Sequence, residues 1–171
     1  RRFKPTPLPK YDGTLKICWA GDPETSHHGD VKGYYEYIQP AIEEFDDVEL
    51  ITASKQNRIP HNQMGSFYSR GHVYLNFSSS EGTPMPLLES MACGRPVITT
   101  NVGISEEVVK DGENGWVIPR TIDDLVETIE NCRLKISDLQ MMGLKSFQSV
   151  EERTFDWSAM YYELLFDSVY D

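Results

Sequence analysis

Apolar and polar positions follow one another along the chain in two kinds of block: short continuous apolar runs, and longer stretches where apolar residues recur at helical spacing. Leu15–Ala20 (LKICWA) is a run suited to a buried strand and is closed by Gly21. A polar loop leads to Asp30. Beyond it Tyr34, Ile38, Ala41, Ile42 and Phe45 share one apolar face, which predicts a helix over 31–45 that Pro40 should kink or split. Strands are predicted at 48–52 (VELIT) and 72–77 (HVYLNF), with a loop through Arg58-Ile59-Pro60 and a helical turn around 64–68 between them. The tract 78–84 reads as a loop, 85–93 as a helix closed by Gly94, and 96–100 and 115–118 as further strands. Ser105 with Glu106 and Glu107 marks a helix start, because acids there meet the positive end of the dipole. Thr121-Ile122-Asp123-Asp124 is a capping-box variant opening a helix through Cys132, and helical patterns continue over 136–152 and 157–168. In the last of these Trp157, Tyr161, Tyr162, Phe166 and Tyr170 recur at helical spacing, which predicts a helix packed on its own domain.

Strands separated by helices predict an α/β chain with a doubly wound parallel sheet flanked by helices. Ligands of such sheets sit beyond the carboxyl ends of the strands, where Gly21 and the 78–84 loop fall.

Composition narrows the function. The chain has 171 residues, 39% of them hydrophobic and 25% charged, as expected of one soluble globular domain. Its net charge of -11 argues against a nucleic-acid or anionic-membrane surface, so an anionic ligand must be captured locally. Much of the acid lies late, since residues 121–171 hold 11 acids and 4 bases. Cys18, Cys93 and Cys132 are far apart and embedded in apolar sequence, which reads as reduced core thiols in a reducing compartment. No apolar run approaches the length of about 20 residues that spans a bilayer. Pro5, Pro7 and Pro9 make the start an extended segment, so 1–13 is expected to be a linker from a preceding domain.

The run from Ser80 to Ile98 joins strand, loop, helix, glycine cap and strand. A helix opening near Met85 points backbone N–H groups and a positive dipole end into the crevice, which suits a phosphate or diphosphate. Glu81 and Glu89 frame it, poor partners for phosphate but good acceptors for sugar hydroxyls. Ser78, Ser79 and Ser80 lie in no G-x-S-x-G elbow and read as turn residues. His27 and His28 are adjacent in a loop without nearby acid or Cys to complete a metal set, and are expected to be exposed.

Glu81 and Glu89, with seven residues between them and followed by Met-Ala-Cys-Gly-Arg-Pro-Val-Ile, resemble the E-x7-E signature of retaining glycosyltransferases of family 4. The similarity extends through Val102-Gly103, Glu107-Val108-Val109 and Asp111-Gly112-Glu113-Asn114-Gly115, and back to Lys32-Gly33. It implies a Rossmann-like domain forming one half of a GT-B fold, here the C-terminal, nucleotide-sugar-binding half spanning 14–171. By the same resemblance Glu81 faces the donor hexose, and the backbone of Gly21, Gly82, Thr83 and Met85 contacts sugar and diphosphate. Glu89 binds ribose hydroxyls, Arg58 and Ile59 lie where the nucleobase is read, and Lys32 neutralises the departing diphosphate. A polar loop explains Arg58 and Ile59 equally well.

The implied reaction moves a hexose from a nucleoside-diphosphate sugar to an acceptor with retention, in glycan or polysaccharide synthesis. It is metal-independent and needs no cofactor, in keeping with the absence of Asp-x-Asp from the sequence. The acceptor-binding domain would precede residue 1, the last helix could cross to it, and the isolated half should not transfer sugar. The implied location is cytoplasmic, with or without peripheral attachment to the inner face of a membrane. Two departures stand out. Asp22 occupies a position where the family usually has an arginine, so Arg58, Arg70 or Arg95 would have to serve the diphosphate, or the 22–31 loop would have to turn Asp22 away. Pro84 removes one backbone donor. A nucleotide-sugar 2-epimerase and a non-catalytic nucleotide-sugar-binding module are the alternative readings.

Overall fold

A computed structural model describes residues 3–24 and 29–151. The pair His27 and His28, the 157–168 helix and its aromatic cluster lie outside the described residues. Five strands, β1 (Leu15–Ala20), β2 (Val48–Ala53), β3 (Val73–Asn76), β4 (Val97–Thr99) and β5 (Gly115–Val117), form one parallel sheet in the order β2-β1-β3-β4-β5. Each predicted strand exists, with β3, β4 and β5 shorter than their apolar runs. The first helix, α1, joins a π-type turn (Tyr34–Ile38) to an α segment (Gln39–Glu43). The others are α2 (Met64–Tyr68), α3 (Met85–Ala92), α4 (Ser105–Val108), α5 (Ile122–Leu134) and the helical residues 139–151, α6.

Two clusters explain why the strands read as continuous apolar runs, since both faces of the sheet are covered. Leu15, Ile17 and Trp19 of β1 point to the face packed by Ile38 and Ala41 of α1 and Leu125, Ile129 and Cys132 of α5. Cys18 points to the opposite face, with Phe67 and Tyr68 of α2 and Leu87, Leu88 and Met91 of α3. Burial pushes the thiols up, Cys18 to about 12 and Cys93 to about 11, so both stay protonated.

Pro40 falls just after the junction that divides α1 into its two segments. The N–H groups of Ile38 and Gln39 reach back five residues, to the carbonyls of Gly33 and Tyr34, and this widened turn takes up the proline that follows. The helix begins at Tyr34, not 31, because Gly33 adopts a left-handed φ of 72°. The capping motif forms by half: Asp124 N–H donates to Thr121 Oγ1 at 3.1 Å, and the Asp124 carboxylate takes the Thr121 hydroxyl rather than its amide.

The proline-rich start is seated on the domain at the amino edge of the sheet. Arg95, fully buried, donates to Thr6 O at 2.7 Å, Pro7 O at 3.1 Å, Gly71 O at 3.0 Å and Cys93 O at 3.2 Å. Leu8 N–H donates to Gln140 Oε1 at 2.8 Å, and the Phe3 ring packs on Tyr68.

His72 lies at the same edge, 1% exposed, and its Nδ1 accepts the Lys16 N–H at 2.9 Å, an arrangement that requires the neutral ring. Burial, with Lys16 and Arg95 nearby, holds its pKa below the ordinary value, outweighing the opposite pull of the Pro9 backbone and Asp12. The unfolded chain therefore takes up a proton that the fold refuses. This contribution to stability is whole above the unperturbed value of about 6.5 and is lost as pH falls below it, with a limiting slope of about 1.4 kcal/mol per pH unit. Urea denaturation at pH 7.5 and 5.5 should show a larger acid loss in the parent than in His72→Asn; equal losses would show that His72 is not responsible.

Candidate functional site

The strand order places the site. The chain leaves β1 toward β2 on one side and returns past β1 to β3 on the other, so the loops after β1 and β3 diverge and open a crevice between them. Both loops carry predicted site residues. After β1 come Gly21, whose N–H continues the ladder to Ala53 O at 3.0 Å, then Asp22 and, further on, Lys32. After β3 come Ser78 and the 81–84 segment.

Lys32 and Glu81 meet there: the ammonium pairs with Glu81 Oε1, the side chains being 28% and 17% exposed. The Ser78 hydroxyl donates to the same oxygen at 2.8 Å. Behind it lies a buried polar layer at the ends of β3 and β4, in which Asn76 Nδ2 donates to Thr99 Oγ1 at 3.2 Å and Thr100 Oγ1 to Ser78 O at 2.6 Å. The serine is thus a support for Glu81, consistent with a turn role and not a nucleophile's.

The loop from Glu81 is shaped by Gly103 at φ 54°, where a Cβ would lie 1.9 Å from Gly82 O and 3.1 Å from Glu81 O. Prolines at 84 and 86 have no amide, and Leu87 N–H is given to Pro84 O at 3.0 Å. The backbone donors that this loop and helix start can bring to an anion are therefore those of Gly82, Thr83 and Met85. Met85 is itself 47% exposed at the mouth.

Glu89 sits deeper, 9% exposed, with Oε2 accepting the Tyr68 hydroxyl at 2.8 Å. Burial first, and then Tyr74 and Glu89, push the Tyr68 hydroxyl far above its ordinary value, which keeps it a donor. Arg58 is exposed in the loop after β2, and Ile59 packs partly against the α2–α3 cluster. Both are at the carboxyl edge, one strand away from the crevice. Arg70 and Arg95, offered by sequence as phosphate partners, precede β3 and β4 and so lie at the opposite edge. Arg95 is consumed by the carbonyls of the N-terminal segment.

Asp22 is answered from the loop after β2. Lys55 pairs with its carboxylate, and Glu24 N–H donates to Oδ1 at 3.1 Å. The hydrogen bond from Lys55 is the first reason its pKa lies below the ordinary carboxylate value.

Two residues that sequence reading missed organise the Lys32 loop. The Asp30 carboxylate accepts the N–H groups of Tyr34, Tyr35 and Glu36 at 2.9, 2.7 and 2.9 Å, and so caps α1. An acid just before an apolar helical face was a visible signal for it. Arg120, after β5, had none. Among the described residues no three His, Cys, Asp or Glu converge in a metal-holding group, and no helix is long and apolar enough to cross a membrane.

Residues 54–136 match the family described as Glycosyl transferases group 1. The chain is 31% identical over 99 residues to the UDP-N-acetylglucosamine–peptide N-acetylglucosaminyltransferase GtfA subunit of Streptococcus pneumoniae, covering 53% of this chain and 20% of that protein. It is 31% identical over 116 residues to a phosphatidylinositol N-acetylglucosaminyltransferase component of Arabidopsis thaliana, covering 64% of this chain and 25% of that one. The matched part thus spans a quarter or less of the curated relatives' length. Among solved structures, the C-terminal domain of the glycosyl transferase group 1 protein LpcC from Francisella tularensis superposes with a TM-score of 0.68 at 18% identity, over 89% of this chain and 95% of that one. The fold is that of a GT-B glycosyltransferase half-domain.

Proposed function

We propose that this domain binds the donor of a retaining, family 4 glycosyltransferase, with a UDP-N-acetylhexosamine as the nucleotide sugar. The observation that carries the reading is the convergence of Lys32 and Glu81 in the crevice between the loops after β1 and β3. The match to glycosyl transferases group 1 and the N-acetylglucosamine chemistry in the names of both relatives support it.

In this reading Lys32 and the amides of Gly82, Thr83 and Met85 stabilise the negative charge that develops on the leaving diphosphate, without a metal. Glu81 faces the hexose and Glu89 the ribose, with Arg58 and Ile59 toward the base. A preceding acceptor-binding domain of the same protein completes the cleft, and this half alone transfers nothing. The product belongs to glycan or polysaccharide synthesis, in the cytoplasm.

Calorimetry with UDP, GDP and ADP tests the reading, with UDP expected to bind most tightly. No binding to any of the three at millimolar ligand would sink it. Because Lys55 already meets the charge of Asp22, Asp22→Asn should change UDP affinity by no more than about two-fold. A ten-fold gain would instead mark Asp22 as a repulsive lesion, as a non-catalytic module would have.

A further inference from the structure

We propose that Arg120 is the positioning residue of this donor site, holding the Lys32 loop against the end of β3 so that Lys32 and Glu81 converge; the proposal rests on the donor-site reading above. Arg120 emerges beyond β5, yet its guanidinium reaches back past β4. Its Nε–H donates to Phe77 O at 3.1 Å and its Nη2 to Asp30 O at 2.6 Å. Its Cζ lies 4.3 Å from the centroid of the Tyr37 ring, a cation–π contact that fixes the guanidinium's place.

Each residue around Lys32 is tied to the 77–79 segment. Asp30 is tied through Arg120, and Val31 through its carbonyl, which accepts the Ser79 N–H at 2.8 Å. Gly33 is tied by contact, since a Cβ there would lie 2.7 Å from Phe77 O and 3.3 Å from Arg120 Nη2. Ser78 and Glu81 leave from that same segment. Arg120 therefore hydrogen-bonds to neither Lys32 nor Glu81 but sets the distance between the two backbones that carry them. A lysine could not replace it, because one ammonium lacks the planar fork that spans two carbonyls while stacking on a ring.

The test uses Arg120→Met and Arg120→Lys with two measurements. In amide hydrogen exchange, the Ser79 amide should exchange at least ten-fold faster in both variants, while the Leu125 and Ile129 amides of α5 keep the parent's rates and report an intact fold. In calorimetry, both variants should lose about ten-fold in UDP affinity, and in a Lys32→Ala background Arg120→Met should cost less than two-fold more. Unchanged exchange at Ser79 would overturn the proposal, as would parent-like affinity in Arg120→Lys, which would mean that charge alone matters. A full further loss in the Lys32→Ala background would overturn it too. If the parent binds no nucleotide, the donor-site reading fails, and the exchange measurement still decides whether Arg120 positions the loop.

Discussion

Lys32→Ala is expected to weaken UDP binding by about 10- to 100-fold, the range of about 1.5–3 kcal/mol associated with a hydrogen bond to a charged group. Its melting temperature should stay close to the parent's, because Lys32 is partly exposed and its removal leaves no buried charge: Glu81 keeps the Ser78 hydroxyl as a donor. The loss should shrink as ionic strength rises, since the pair is within reach of solvent. In the unliganded chain Glu81 occupies Lys32, so a diphosphate must take the lysine over from the carboxylate. Glu81→Gln removes that competitor while keeping size and polarity. It should therefore bind UDP at least as tightly as the parent, yet transfer sugar far more slowly once joined to the acceptor-binding half. Calorimetry at two salt concentrations reads the binding effects, and a transfer assay on the joined halves reads the rate. If Glu81→Gln weakens UDP as much as Lys32→Ala does, the two residues serve only as a structural pair, and the division of labour between diphosphate and hexose fails.

Gly103→Ala should have the largest effect on stability of any single methyl addition in the site. The added carbon would fall 1.9 Å from Gly82 O, a backbone atom that no side-chain rotation can move aside, and the residue holds a φ of 54°. The left-handed backbone costs about 1 kcal/mol without glycine, and forced repacking adds about 1–3 kcal/mol. Together they lower the melting temperature by about 5–15 °C in a domain of this size. The 81–84 loop must shift, so UDP affinity should fall together with stability. Gly112→Ala is the control: its φ of 72° is similar, but a Cβ there meets nothing within 4 Å, so only the backbone cost remains. Equal melting temperatures for the two variants would show that the contact with Gly82 is not a constraint.

Much of the fold was legible because both faces of the sheet are covered. That burial makes strands apolar throughout and helices periodic, and the five strands and α2 to α5 follow from these patterns. At Pro40 local rules anticipate a kink or split, and the helix changes there from the widened turn after Gly33 to the α segment. The misjudged places were those where a distant group intervenes. Arg95 reads as a free cation near the motif, but its strand begins at the edge away from the crevice and its guanidinium is spent on the carbonyls of residues 6, 7, 71 and 93. Asp22 reads as a repulsive charge, but Lys55, beyond the next strand, answers it.

By itself the sequence determined, among the described residues, which segments are strands and helices and that the sheet is parallel, and it pointed to the loops at the carboxyl edge as the place for a ligand. Periodicity, glycine caps and the spacing of Glu81 and Glu89 are local quantities, readable within a few turns of chain. Only the tertiary structure decided that Lys32 meets Glu81 across 49 residues and that Arg120 ties their loops together from 43 residues beyond Phe77. These contacts depend on the order β2-β1-β3-β4-β5, which brings distant loops to one crevice. Hydrogen bonds and ion pairs act over a few ångströms of space, whatever the separation along the chain, so their partners appear only once the sheet is assembled.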